Sequence, residues 1–193
     1  GVDMTAFLKF RLEEPDRYSA LLALGRERLR YFEKPAVAWR DDIALFLGPR
    51  LSGYSALDVE DLSEVEIRSR RLMVEHLHFY REHAPGFAGA WLLQSAPQLG
   101  VRHGRRLIGR STVSRADWDG RIRPDEIAVS PAPSPKFANV SIPYGALLPR
   151  DVEGLIAPGR HLSCDTSSHS FLREIPQCWA TGQAAGVAAA LAA

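Results

Sequence analysis

The sequence predicts an α/β chain, more closely an α+β fragment, in which a few helices are joined by short strands and loops. Three observations predict it. Apolar residues recur at helical spacing over residues 16–33, two short β-rich runs flank a pair of aspartates, and residues 176–193 hold almost nothing but Ala and Gly.

Taken in order, Tyr18, Leu21, Leu22, Gly25, Leu29 and Phe32 fall on one face, with Arg26, Glu27, Arg28 and Arg30 elsewhere, which predicts an amphipathic helix over 16–33. Ala36-Val-Ala-Trp-Arg40 and Ile43-Ala-Leu-Phe-Leu47, split by Asp41-Asp42, read as a hairpin. Ser63 and Glu66 form an S-x-x-E capping box with Leu62 and Ile67 as its staple, so a helix is expected from there to about Ala84, where Pro85-Gly86 stops it. Met73, Leu77 and Tyr80 are its core stripe. A strand is expected over 100–110, and a short helix from Ser114. Residues 130–136, Ser-Pro-Ala-Pro-Ser-Pro-Lys, disfavour helix and strand interior alike, and a boundary is placed there, dividing 1–135 from 136–193.

Composition bounds the function. At 46% hydrophobic and 24% charged the 193-residue chain is ordinary globular material, which excludes disordered and collagen-like classes. A net charge of +1 gives no global field to recruit nucleic acid or an anionic membrane. Cys164 and Cys178 form no C-x-x-C pair and no spaced His/Cys set, so neither a metal site nor a disulfide framework is expected, and a cytoplasmic setting fits. The start of the chain has no basic segment followed by an apolar one, so no signal peptide is expected. The last helix is weakly hydrophobic, has Gln183 inside and no basic flank, so membrane insertion is not expected either.

The richest signal is at the C-terminus. Gly154-Leu-Ile-Ala-Pro-Gly159 reads as a short apolar strand ending in a glycine turn, followed by Arg160-His161-Leu162-Ser163 and a polar loop. Pro176 suits the first turn of the helix that follows, where a missing N–H costs nothing. Gly182, Gly186 and Ala190 recur every four residues, as do Ala185, Ala189 and Ala193, giving two bare stripes open to another backbone or a flat ligand. The helix tip, with unpaired amides and the positive end of the dipole, suits an electron-rich acceptor.

Ile142-Pro-Tyr-Gly-Ala-Leu-Leu-Pro149, then Gly154-Leu-Ile-Ala-Pro-Gly-Arg160, then Arg173-x-x-Pro176-x-Cys178-x-x-x-Gly182-Gln-Ala-Ala-Gly186, resembles the C-terminal end of a large family of FAD-dependent oxidoreductases. The resemblance reaches back to about residue 40 through Asp58-Val-Glu-Asp-Leu-Ser63, Glu66-Ile-Arg-Ser-Arg-Arg71 and Ala96-Pro-Gln-Leu-Gly100. It implies the C-terminal part of a two-domain FAD-binding flavoprotein, with 1–135 as a substrate-facing or cap region and 136–193 returning into the FAD-binding domain. It also implies that Gly159 and Arg160 lie beside the ribityl or pyrophosphate part of FAD, and that Ile175, Pro176 and Gln177 sit near the flavin C2 carbonyl and N1. Arg173 and Gly182 complete the cofactor set. Where flavoproteins with Gly-Asp at this turn meet a ribityl hydroxyl, Gly-Arg suits a phosphate.

Members of that family begin with a strand, a G-x-G-x-x-G turn and a helix that hold the ADP half. No stretch here has that βαβ pattern; Gly100-Val-Arg-His-Gly104 lacks the spacing. The resemblance therefore implies a partner, an N-terminal FAD-binding half, without which the chain is not expected to retain FAD. An oligomer is left open. The implied activity is hydride exchange between a small organic substrate and flavin N5; the alternative is a non-catalytic interaction or regulatory module built on the same scaffold.

His161, His169 and Asp165 fall between turn and helix, which in the family passes the reactive face of the flavin, and either histidine could move the substrate proton. A histidine bonded only to loop backbone is the competing reading. Cys164 is read as an inert, partly buried thiol in preference to a flavin attachment point or a redox thiol. Arg102, Arg105 and Arg106, in the densest basic run, could clamp an anionic group of the substrate or the FAD pyrophosphate, or form a solvated surface strand. Asp117, Asp119, Asp125 and Glu126 interrupt the run, which disfavours a nucleic-acid patch.

Overall fold

A computed structural model describes residues 1–37 and 39–193, which divide into two compact units, Gly1–His103 and Gly104–Ala193. The proline crossing at 130–136 is not the seam between these units. It lies inside the second one, as the connection between two paired strands.

The first unit opens with a helix the sequence did not announce, α1 (Met4–Glu13), capped by the Asp3 carboxylate accepting the Ala6 N–H at 2.8 Å. Pro15 then starts α2 (Pro15–Arg28), shorter at its C-terminal end than the expected 16–33. Leu21 and Gly25 are its buried face, and Leu29, just beyond it, is buried too. The hairpin forms as β1 (Ala36–Val37) against β2 (Ala44–Leu45), antiparallel, with Ala36 opposite Leu45. Ala38, part of the expected first strand, lies outside the described residues.

The long helix α3 (Val59–His83) starts four residues before the expected cap. Asp58, not Ser63, is its N-cap, its carboxylate accepting the Glu60 and Asp61 amides at 2.9 and 3.1 Å. Ser63 sits inside the helix, its hydroxyl donating to the Val59 carbonyl at 2.7 Å, so the S-x-x-E pattern is spent on a back-bond. The stripe that faces the core is Leu72, His76, Phe79 and Tyr80, while Met73 and Leu77 are half-buried at its margin. Tyr80 is the hub: Phe32, Phe46, Phe79 and Phe87 all place ring centroids 5.2–5.9 Å from it, and its hydroxyl donates to the Glu33 carbonyl at 2.9 Å. His76 donates from Nδ1 to the Leu72 carbonyl and accepts the Glu33 N–H on Nε2, so α3 holds both backbone groups of Glu33.

In the second unit β3 (Glu126–Ser130) pairs antiparallel with β4 (Val140–Pro143), with Ser130 opposite Val140 and a bulge between Glu126 and Ala128. All four residues of β4 are buried. Two further helices, α4 (Thr166–Leu172) and α5 (Ile175–Ala192), follow; α5 packs on β3. The core gathers Val113, Trp118, Ile142, Leu147, Leu162, Leu172 and Ala185. Two expected strands do not form. Segment 100–110 makes one bridge, Gly109 to Pro149, and single bonds to separate neighbours, such as Leu107 N–H to the His161 carbonyl at 2.8 Å. Segment 154–158 meets the rest of the unit through the Ala157 N–H on the Leu147 carbonyl and through Ile156, packed on the core, while Leu155 stays exposed. An apolar run becomes a strand only beside another strand, and among the described residues neither run has one.

Candidate functional site

The site expected from sequence is built by three consecutive pieces of the second unit: the Gly159–Arg160 turn, α4 and the first turn of α5. Gly159 has φ +88°, the left-handed region that favours glycine, and a Cβ added there would meet nothing within 4 Å. The turn closes through the Leu162 N–H on the Gly159 carbonyl at 3.1 Å. Arg160 and His161 are exposed at its tip.

What reads as a polar loop is largely helix α4. Asp165 caps it, accepting the Ser168 N–H on Oδ1 at 2.7 Å while Oδ2 accepts the Arg115 N–H at 2.8 Å. Burial pushes this carboxyl up, but the two amides outweigh it and hold it below the usual carboxylate range. His169 lies on the buried face of α4, 1% exposed, with Nε2 on the Arg160 carbonyl at 2.8 Å. Ser168 is buried beside it and accepts the Trp118 Nε1–H at 3.0 Å. Burial lifts the Cys164 thiol to about 11 and raises Cys178 as well, so both are protonated at neutral pH.

α5 begins at Ile175 with Pro176 in its first turn, one residue from the expected start. Glu174 occupies the cap position, but its side chain makes no capping hydrogen bond. Arg173 is mostly buried, its guanidinium 3.5 Å from the Glu174 carboxylate, while Ile175 and Pro176 are exposed. Gln177 turns inward: its Nε2 donates to the Ser130 hydroxyl at 2.9 Å, which donates in turn to the Pro131 carbonyl at 3.0 Å, and its Oε1 is buried with no partner. Gln177→Glu is therefore expected to destabilise the unit by more than about 2 kcal/mol, because the amide donor to Ser130 would be lost and a charge placed beside an acceptor that already lacks a donor among the described residues. Gln177→Met, which removes both polar atoms, should cost less; urea melts of the two variants check the order.

The helix has two unlike sides. Thr181 and Ala185 are buried against the unit. Ile175, Trp179, Gly182, Gly186, Val187 and Leu191 face outward, and a Cβ added at Gly182 or Gly186 would meet nothing within 4 Å. The bare stripe of Gly182, Gly186 and Ala190 is thus open, while the neighbouring stripe is split, with Ala185 buried and Ala189 and Ala193 exposed.

The three arginines do not share one environment. Arg102 is exposed in the first unit and Arg105 exposed in the second. Arg106 is committed to the segment around the α4 cap, donating to the Cys164 carbonyl at 2.9 Å and the Thr166 hydroxyl at 3.2 Å. Sequence reasoning missed Thr181, whose buried hydroxyl accepts the Gly159 N–H at 3.1 Å. A lone hydroxyl in a helix of Ala and Gly was the available signal.

The residues present fit part of FAD. An uncapped helix tip, an open glycine turn beside an exposed arginine, and a side-chain-free helix flank suit an anionic or electron-rich flat group. Among the described residues no cluster of His, Cys, Asp and Glu could hold a metal ion, and no helix is long and apolar enough to cross a membrane.

No curated protein and no solved structure matches the chain. A family model described as FAD dependent oxidoreductase matches residues 13–193, which takes in both units and reaches further back than the sequence motifs do. With all but the first twelve residues inside that match, the chain belongs to the FAD dependent oxidoreductase family.

Proposed function

We propose that this chain is the C-terminal part, or a subunit, of an FAD-dependent oxidoreductase that exchanges a hydride between a small organic substrate and flavin N5, working with an N-terminal half that holds the ADP moiety. The observation that carries this reading is α5. It has no charged residue along its length, no side-chain cap at its start, and one full face exposed. A helix without a polar face belongs in an interior, so the outer face needs a cover, and the partner half with its cofactor supplies one.

Bound FAD contributes the electron-accepting ring. The chain's own residues do the rest. The tip amides of α5, together with its dipole, favour negative charge on a ring that abuts them. Arg160 offers a guanidinium beside the turn, suited to a phosphate, and Gly159 lets backbone approach closely. Of the two histidines, His161 has the exposed ring and is assigned the substrate proton, whereas His169 is occupied with the backbone. Arg105 is assigned the anionic group of the substrate.

Gly182→Leu separates this reading from a fold that carries no cofactor. Since a Cβ added there would meet none of the described residues beyond its own helix within 4 Å, the larger side chain should leave each unit folded yet strip flavin from the protein made from the intact gene. Arg121→Ala, at an exposed arginine paired with Asp119, should leave flavin content unchanged. Equal flavin in both variants contradicts the assignment.

A further inference from the structure

The Gly159–Arg160 turn is held by two side chains that no ligand can touch. Thr181, 1% exposed on the inner face of α5, accepts the Gly159 N–H on Oγ1 at 3.1 Å. Its own proton goes back to the Gln177 carbonyl at 2.8 Å, so one hydroxyl serves the helix as donor and the turn as acceptor. From the other side His169, also 1% exposed, meets the Arg160 carbonyl with Nε2 at 2.8 Å. A carbonyl only accepts, so this nitrogen carries the proton and the bond fixes that end of the ring as a donor.

Two further facts give these bonds weight. Alanine would serve α5 better than threonine on helix propensity, and the buried position leaves no solvent role for the hydroxyl. The turn it reaches is also open on the Cβ side of Gly159, which stands at φ +88° with nothing beyond its chain neighbours within 4 Å of where a Cβ would be. A glycine readily leaves that conformation, so the hydrogen bonds to its backbone help keep it there.

We propose that Thr181 and His169 are positioning residues for FAD, holding residues 159–160 in the one conformation that can lie along the cofactor. This rests on the flavoprotein reading given above. Thr181 ties the peptide before Gly159 and His169 the peptide after Arg160, while the buried Leu162 N–H ties the Gly159 carbonyl between them, so none of the three peptides rotates without breaking a bond to buried structure. Both groups act through the backbone of the turn and neither contacts the cofactor.

The test uses the protein made from its intact gene. Thr181→Val keeps shape and removes the acceptor; Thr181→Ser restores it; Thr181→Ala replaces the valine should that variant fold poorly. Hydrogen exchange at the Gly159 amide, read without FAD, is expected to be about tenfold faster in Val or Ala and near wild type in Ser, the scale of one lost net hydrogen bond. FAD dissociation constants are expected to follow the same order, about tenfold weaker in Val and rescued in Ser. His169→Leu against His169→Gln repeats the comparison from the other side. Unchanged Gly159 exchange in the Val variant overturns the clamp. Faster exchange with unchanged FAD affinity, in a protein whose wild type holds FAD, overturns the positioning role and leaves the flavoprotein reading standing. A wild type that takes up no FAD overturns that reading and the positioning role with it, while the exchange data still decide whether the clamp exists.

Discussion

Gly159→Val is expected to leave the protein without flavin. The position has φ +88°, where a β-branched residue is strained by about 1–3 kcal/mol, and no neighbouring side chain compensates. The strain is relieved by swinging the backbone out of the left-handed region. That withdraws the Gly159 N–H from Thr181 and the closing carbonyl from Leu162, so the turn as a whole is lost. The core of the second unit, centred on Ile142, Leu147, Leu162 and Leu172, does not depend on this residue. The variant should therefore fold and elute normally while losing its visible absorption, and a flavin-to-protein ratio measured at 450 nm beside a circular dichroism melt checks both parts. Full flavin occupancy would remove the turn from the site.

Tyr80→Ala is expected to destabilise the first unit severely. Tyr80 is 1% exposed and is the ring on which Phe32, Phe46, Phe79 and Phe87 converge. Removing a buried aromatic of this size costs about 3–5 kcal/mol, a large part of the stability of an ordinary domain. The variant also leaves the Glu33 carbonyl without its donor, in a segment whose N–H is held by His76. Tyr80→Phe isolates that second effect and should cost only about 1 kcal/mol. For a unit of this size the alanine variant should melt more than about 10 °C lower. Hydrogen exchange over residues 1–103 shows where the loss falls.

The parts of the fold legible from sequence are those set by local chemistry. Pro176 and the uncharged Ala/Gly run placed α5 to within a residue, because a proline at the first turn and a helix former thereafter leave little choice. Asp41-Asp42 between two apolar runs gave the hairpin. The misses are places where tertiary partners decide. Asp58 and Ser63 are both competent caps, and the longer helix wins because the extra turn remains compatible with burying Leu72, His76, Phe79 and Tyr80. α1 carries only Met4, Phe7 and Phe10 on its buried side, too short a pattern to stand out, and it is held by the aromatic cluster around it. α4 reads as loop because Thr166-Ser-Ser-His169 is polar; its buried polar groups have partners, Trp118 for Ser168 and the Arg160 carbonyl for His169, that only the folded chain reveals.

The candidate site divides the same way. Glycine at the turn and proline at the helix start are visible as residue types whose geometry is intrinsic. Side chains such as Gln177 and Arg106 are not, since whether an amide or guanidinium faces a ligand or the interior depends on Ser130, Cys164 and Thr166, which are distant in sequence.

The most direct measurement is an absorption spectrum of the protein purified from its intact gene without added cofactor. The account predicts the two visible bands of oxidised flavin, bleached by a reductant and carried by material whose α5 face is protected from exchange. A colourless protein that stays colourless after incubation with excess FAD, with Trp179 and Ile175 as solvent-accessible as they are in this chain alone, would contradict it.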